Sequence, residues 1–214
     1  MPVSVENIYS QLNAKTVDTL KPLRELGFDE AFYKTDHHWT CDGAFTAYLE
    51  LANILEYSPL TKDYFNLQTL SSEFVGTTYS KSGFFFADAE EIKAPTIQNG
   101  KYKMTIVDMN VEFDTLYDTS YLNKKDKYST FLSGNNAHVK IYDTEDNTKE
   151  TLLIIKDSFS HSLAPYLIEH YNLELIDPRY YNGSIESYIT ENNIQNVLFL
   201  FGLDTLASAN LVIR

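Results

Sequence analysis

The sequence predicts an α/β fold with a mainly parallel central sheet, on three observations. Thr151–Lys156 and Val197–Phe201 are near-continuous apolar runs, the pattern of strands buried on both faces. Between them lie two helical patterns: Phe159–Tyr171, with Leu163, Tyr166, Leu167 and His170 on one side, and a segment capped by Ser184 that runs to about Asn192. A short strand, Leu173–Ile176, separates the helices. Strand, helix, strand, helix, strand with short connections indicates parallel βαβ units. Such crossovers are right-handed and put ligand sites at the carboxyl ends of the strands.

Upstream, residues 1–35 read as helix with loops, because Leu20, Leu23 and Leu26 recur at helical spacing and Gly27 is a natural stop. Thr40 reads as an N-cap for a helix with Ala44, Tyr48, Leu51, Ala52 and Leu55 on one stripe, ending near Glu56 before Ser58-Pro59. Ser72–Ser82, around Gly76 and Gly83, reads as loop, and Met104–Phe113 as a strand. Tyr117–Lys127 is polar, a loop or short helix. Phe131–Asn136 is a tight turn, Val139–Tyr142 a short strand and Asp143–Glu150 a charged turn. No repeat, low-complexity tract or linker divides the chain, so 214 residues are expected to form a single domain, 1–214.

Seventeen basic against 30 acidic residues give a net charge of −13. That leaves no basic footprint for nucleic acid, and anionic lipid is disfavoured for the same reason. The 16 tyrosines and 13 phenylalanines suit either half-buried strands or carbohydrate-facing clefts. Cys41 is the single cysteine, so no intrachain disulfide forms. It opens a helix as a small apolar residue rather than as a nucleophile. No segment reaches the ~18 apolar residues of a membrane span. Met1–Glu6 lacks a signal pattern, so the protein is either cytosolic or exported by a segment outside this chain.

The chemistry concentrates in Asp36-His37-His38-Trp39, before a helix N-terminus where a carboxylate is favoured. In an extended segment Asp36 and His38 share a face and His37 points away. The carboxylate would orient the imidazole, and Trp39 would wall the site. The nucleophile expected is Ser158, just past the Thr151–Lys156 strand, with Ser160 and Ser162 as rivals. A strand–turn–helix exposes a hydroxyl beside N–H donors, although Gly-x-Ser-x-Gly is absent. Asp157-Ser158 also fits a plain helix cap. Asp36, His37, His38, Asp42 and His161 could instead supply metal ligands.

Together these residues resemble the DHHW protein family, whose motif stands here as Asp36-His37-His38-Trp39. Further blocks carry the resemblance from about Tyr33 to Phe201: Phe74-Val75-Gly76-Thr77 to Ser80-Lys81-Ser82-Gly83, Lys125–Tyr128, Phe131–Asn135, Ile155–Ser158 and Asp177–Tyr181. The family looks like the SGNH-hydrolase-like proteins of bacterial polysaccharide O-acetylation, including those acting on alginate.

That resemblance implies an SGNH-hydrolase-like three-layer sandwich and a cell-surface polysaccharide O-acetyltransferase or acetylesterase. By it, Ser158 matches the nucleophile, His38 the base and Asp36 its orienting acid. Gly134 and Asn135 resemble oxyanion donors. Arg179 and Tyr180 stand at the site rim, as substrate contacts or as scaffold, in a loop where the family's leucine is replaced by Pro178. No cofactor or metal is implied. The implied partners are a surface polysaccharide and an acetyl donor supplied through a membrane-bound O-acyltransferase. The implied location is extracellular or in the cell envelope, with a membrane anchor and an early strand in the full-length form. The alternative is an inactive SGNH-like protein that binds carbohydrate or scaffolds the modification system.

Overall fold

The structure is a computed structural model that describes residues 7, 9–83, 86–97 and 101–207. The opening Met1–Glu6, and with it the start of the helical reading of 1–35, lies outside these residues. The core is a six-stranded sheet in the order β4-β3-β5-β7-β6-β8. Its strands are β3 Tyr102–Ile106, β4 Val111–Phe113, β5 His138–Asp143, β6 Thr151–Lys156, β7 Asn172–Ile176 and β8 Asn196–Leu200. A separate two-stranded antiparallel ribbon pairs β1 Gln68–Phe74 with β2 Glu90–Ala94.

The sheet is mixed, which corrects the expectation of a mainly parallel one. β6 pairs parallel with β7 and β8, as the C-terminal βαβ pattern predicts. The pairings β5–β7, β3–β5 and β3–β4 are antiparallel. The segment read as one strand over Met104–Phe113 is a hairpin, with Ile106 opposite Val111. Asn110 takes the left-handed conformation, φ 52°, to close it. Without glycine or proline in Val107–Asn110, the reversal has no strong signal.

The centre of β6, Leu152 to Ile155, is apolar because both its faces are covered. Leu152 and Ile154 face the main core, with Leu163, Ala164 and Leu167 of α6 (Ser160–Leu167) and Ala44, Ala47, Tyr48 and Leu51 of α3 (Cys41–Leu55). Leu153 and Ile155 face a smaller core with Ile176 and Ile185, the latter on α7 (Ile185–Glu191). Each such fully buried Leu or Ile contributes about 1.5–3 kcal/mol. By the same alternation Lys156 points to the α6 side.

The remaining helices are short: α1 Leu20–Leu26, α2 Phe28–Ala31, α4 Lys62–Phe65, α5 Thr77–Ser82 and α8 Leu203–Ala207. Gly27 stops α1 at φ 98°, its N–H on the Leu23 carbonyl. Thr40 caps α3 by accepting the Gly43 N–H, and Ser184 caps α7 by accepting that of Ser187. Ser72–Ser82 is not loop, since it contributes the end of β1 and all of α5. β1 is mostly exposed, so it lacks the apolar pattern of a core strand. Among the described residues no helix is long and apolar enough to cross a membrane.

Candidate active site

Ser158 stands two residues past the end of β6, at the carboxyl ends of the parallel strands. Its turn is fixed by Asp157, which is buried. The Asp157 carboxylate accepts the Phe159 N–H at 3.0 Å and the Gly202 N–H at 2.8 Å. Its own N–H bonds Leu200 of β8, and its carbonyl accepts the Ser160 hydroxyl. The turn is thus held by the neighbouring strand's loop as well as by its own helix. Among the hydrogen bonds of the described residues the Ser158 N–H has no acceptor, which leaves it free to face a developing oxyanion.

Asp36 and His38 sit on a loop, not on an extended segment. The Tyr33 N–H reaches back to the His38 carbonyl and Phe32 bridges Trp39, closing residues 33–38. Glu90 of β2 clasps the loop, accepting the N–H groups of Lys34 and Thr35 at 2.8 Å each and the Thr35 hydroxyl at 2.5 Å. The Thr35 hydroxyl also accepts the Gly76 N–H, and its carbonyl accepts that of Tyr79. A Cβ on Gly76 would lie 2.3 Å from the Asp36 side chain, so only glycine admits this approach.

The loop and the strand end meet. Asp36 Oδ1 lies 2.5 Å from His38 Nδ1, and His38 Nε2 lies 2.7 Å from Ser158 Oγ. Asp36 Oδ1 also accepts the His38 N–H, while Oδ2 accepts the N–H and hydroxyl of Thr77 at 2.7 and 3.0 Å. Burial by itself would raise the Asp36 carboxyl. The hydrogen bond and charge of His38, with the Thr77 and His38 N–H groups, outweigh it and hold the carboxyl well below its ordinary range. The helix start that serves this carboxylate is α5, through Thr77, and not the α3 terminus read from sequence. An ionised Asp36 fixes the proton on His38 Nδ1 and leaves Nε2 to accept from Ser158.

Other predicted residues fall in different places. Trp39 is buried, its indole N–H shared between the Phe159 carbonyl at 3.0 Å and Ser162 Oγ at 2.9 Å. It is a strut between the motif and α6 rather than a wall. His37 does not point away: its ring centroid is 3.9 Å from that of His38, and Nδ1 lies 2.8 Å from the Thr77 hydroxyl. Ser160 and Ser162 are both buried. Burial pushes the Cys41 thiol up to about 11, which leaves it inert as a nucleophile.

Gly134 holds φ 81° in the expected turn, after Leu132 at 55° and Ser133 at 56°. Its N–H closes that turn on Phe131, so it is not available to an oxyanion; Asn135 is exposed beside it. The neighbouring Asn136 is the buried amide, donating to the carbonyls of Leu132 and Gly134. Arg179 donates through Nε and Nη2 to Asp177 at 2.9 and 2.7 Å. Tyr180, 49% exposed, lies under its guanidinium.

Of the possible metal donors, only Asp36, His37 and His38 cluster, their ligand atoms within 4.8 Å. Each is engaged by protein: Asp36 by His38 and Thr77, His37 by Thr77 and His38 by Ser158. Asp42 pairs with Lys62, and His161 with Lys156.

Sequence reasoning missed a second buried assembly. Lys156 Nζ lies 2.8 Å from His161 Nε2 and 3.7 Å from Asp177, which Arg179 also holds. Burial, only partly offset by Asp177, pulls the Lys156 ammonium down to about 8. It also missed Glu90, Thr77 and Tyr128. Gly76-Thr77, a glycine before a helix start, was the available signal for one of these contacts.

The sequence profile of the DHHW protein family matches residues 4–176. A DHHW family protein from Eubacterium siraeum superposes with a TM-score of 0.83 at 23% identity, covering 97% of this chain and 71% of that one. Two structures of Bacillus cereus PatB1 superpose at 0.80 and 0.76, with 19% and 17% identity. Each covers 98% of this chain and 76% of PatB1, and the second carries a sulfonyl adduct. No curated protein sequence matches the chain.

Proposed function

The chain belongs to the DHHW protein family, and from that premise we propose a serine-dependent O-acetyltransferase or acetylesterase acting on a cell-surface polysaccharide, built on an SGNH-hydrolase-like sandwich. One observation carries the reading: the line Asp36–His38–Ser158, with contacts of 2.5 and 2.7 Å, joins residues 120 positions apart. A buried, ionised carboxylate behind an imidazole behind a hydroxyl is the arrangement that activates a serine. The adduct on PatB1 adds support, because sulfonyl reagents attach to activated nucleophiles.

In this mechanism His38 Nε2 takes the Ser158 proton as Oγ attacks the acetyl carbonyl. The Ser158 N–H, directed at the new oxyanion, stabilises it; one such donor is worth about 10²–10³-fold. Collapse returns the proton from His38 to the leaving oxygen or sulfur and leaves acetyl-Ser158. A sugar hydroxyl, deprotonated by His38, then takes the acetyl group; water in its place gives hydrolysis. The acetyl donor is handed over by a membrane-bound O-acyltransferase partner, and the protein works outside the cell or in its envelope.

The test is turnover of a chromogenic acetyl ester, with sulfonyl fluoride labelling read by intact mass. Wild type should turn over and take one label, and Ser158→Ala and His38→Ala should do neither. Undiminished turnover in Ser158→Ala removes the nucleophile. A wild type inert in both assays favours the binding or scaffolding alternative.

A further inference from the structure

We propose that Tyr128 is a positioning residue for the His38 imidazole, a role that rests on the serine-based reading above. Tyr128 lies on the 3₁₀ helix Lys127–Thr130 and is buried. Its ring stacks on that of His38 with centroids 3.8 Å apart and planes within 6°. Near-parallel rings at this distance lay the π face of the phenol against the imidazole. A cation over a phenol face is attracted to it. The geometry therefore favours the imidazolium, the form His38 takes once it holds the Ser158 proton.

The phenol is itself tethered. Its hydroxyl lies 3.1 Å from Ser162 Oγ and donates towards the Ser158 carbonyl at 3.4 Å. Ser162 Oγ also accepts the Trp39 indole N–H. The last residue of the family motif thus holds, through Ser162, the ring that covers the motif's own base. Burial raises the phenol above its ordinary range, so it stays neutral and keeps its hydroxyl proton.

Other groups also face His38. Its own loop supplies Asp36 and His37, and the β6–α6 turn supplies Ser158. From α6 comes His161, which burial and the Lys156 charge hold well below the ordinary range and hence neutral. Of the close contacts, only Asp36 carries opposite charge, and it bonds an edge of the imidazole. Tyr128 alone covers a face with a matched, tethered ring.

The test is the rate of Ser158 labelling by phenylmethanesulfonyl fluoride from pH 5 to 9, in wild type, Tyr128→Phe, Tyr128→Leu and Tyr128→Met. The non-aromatic variants should label about 10–100-fold more slowly, the penalty for a loosened base. Their acidic limb should also move about half a pH unit lower, as the imidazolium loses its face. Tyr128→Phe keeps the face, so its limb should stay and its rate should fall no more than about threefold. A purely structural role would slow labelling without moving the limb, so a fixed limb in a folded non-aromatic variant overturns the proposal. If neither variant folds, Tyr128→Phe decides: a displaced limb overturns it, and a retained limb and rate support it. A wild type that takes no label at any pH overturns the serine reading and this role with it. A labelled wild type with indifferent Tyr128 variants overturns only the stacking role.

Discussion

The two halves of the site are built differently. Ser158 is carried by β6, a strand paired on both sides and covered on both faces. Asp36 and His38 are carried by a loop, held by the Glu90 carboxylate of a peripheral ribbon and by the N–H and hydroxyl of Thr77 at the start of a short helix. A strand end held by core packing keeps its position through many weak contacts. A loop held by a polar clasp depends on a few residues, and each can be removed with little loss of core. Substitutions in the loop half should therefore damage chemistry, and those in the strand half stability.

The largest effect should come from the loop half. Asp36→Asn keeps the shape but removes the charge that fixes the proton on His38 Nδ1. Acetyl-ester turnover should fall about 10³–10⁴-fold, as when the orienting acid of such a triad is neutralised. A loss below about tenfold would mean that Asp36 orients nothing of consequence.

The strand half should respond in stability instead. Asp177 is fully buried between Lys156 and Arg179. Asp177→Asn takes from the buried Lys156 ammonium its ion-pair partner beside Arg179, which costs about 3–5 kcal/mol. Lys156→Met removes the buried charge and leaves Asp177 paired with Arg179, so denaturant unfolding should show a smaller loss, about 1–3 kcal/mol. Equal losses in the two variants would show that the charges here are not interdependent.

What was legible in the sequence follows the same division. The C-terminal strands and helices announced themselves because a strand buried on both faces must be apolar and a packed helix must carry a stripe. The strand pattern made Ser158 a candidate beside Ser160 and Ser162, the family resemblance singled it out, and Asp36 and His38 stood out by their unusual grouping. The clasp could not. Glu90 lies 55 residues from Thr35, at the half-buried start of β2, where an acidic side chain that binds the loop looks like any solvated one. Antiparallel pairing of β3, β5 and β7 was equally hidden, because long-range pairing leaves no local periodicity. Tyr128 stood in the Lys125–Tyr128 block, but its place at the site was hidden, since its stacking partner lies 90 positions away.

Glu90→Ala tests the clasp directly. It leaves three donors of the 34–35 segment without their acceptor but removes nothing from the main core. Turnover should fall about 10–100-fold through a misplaced Asp36–His38 pair, while the melting temperature shifts by only about 2–4 °C. A variant that loses stability and keeps its specific activity would make the ribbon a structural brace only.

The smallest effect is the most specific to Asp36. Its folded carboxyl is held below the ordinary value of 3.8. The unfolded chain therefore binds this proton first as pH falls, and stability decreases with acidification. The contribution is fully present above the unfolded value and is lost as pH drops through the folded one. At pH 7 the wild type should exceed Asp36→Asn in unfolding free energy by the full contribution of this charge. From about pH 4 downwards the difference should shrink steadily, because the asparagine has no proton to take up. Denaturant titrations of both proteins at pH 7, 4, 3 and 2.5 measure it. A gap that stays constant across that range would show that the carboxylate's hydrogen bonds with His38 and Thr77 do not favour its charged form, and the orienting role of Asp36 would lose its electrostatic basis.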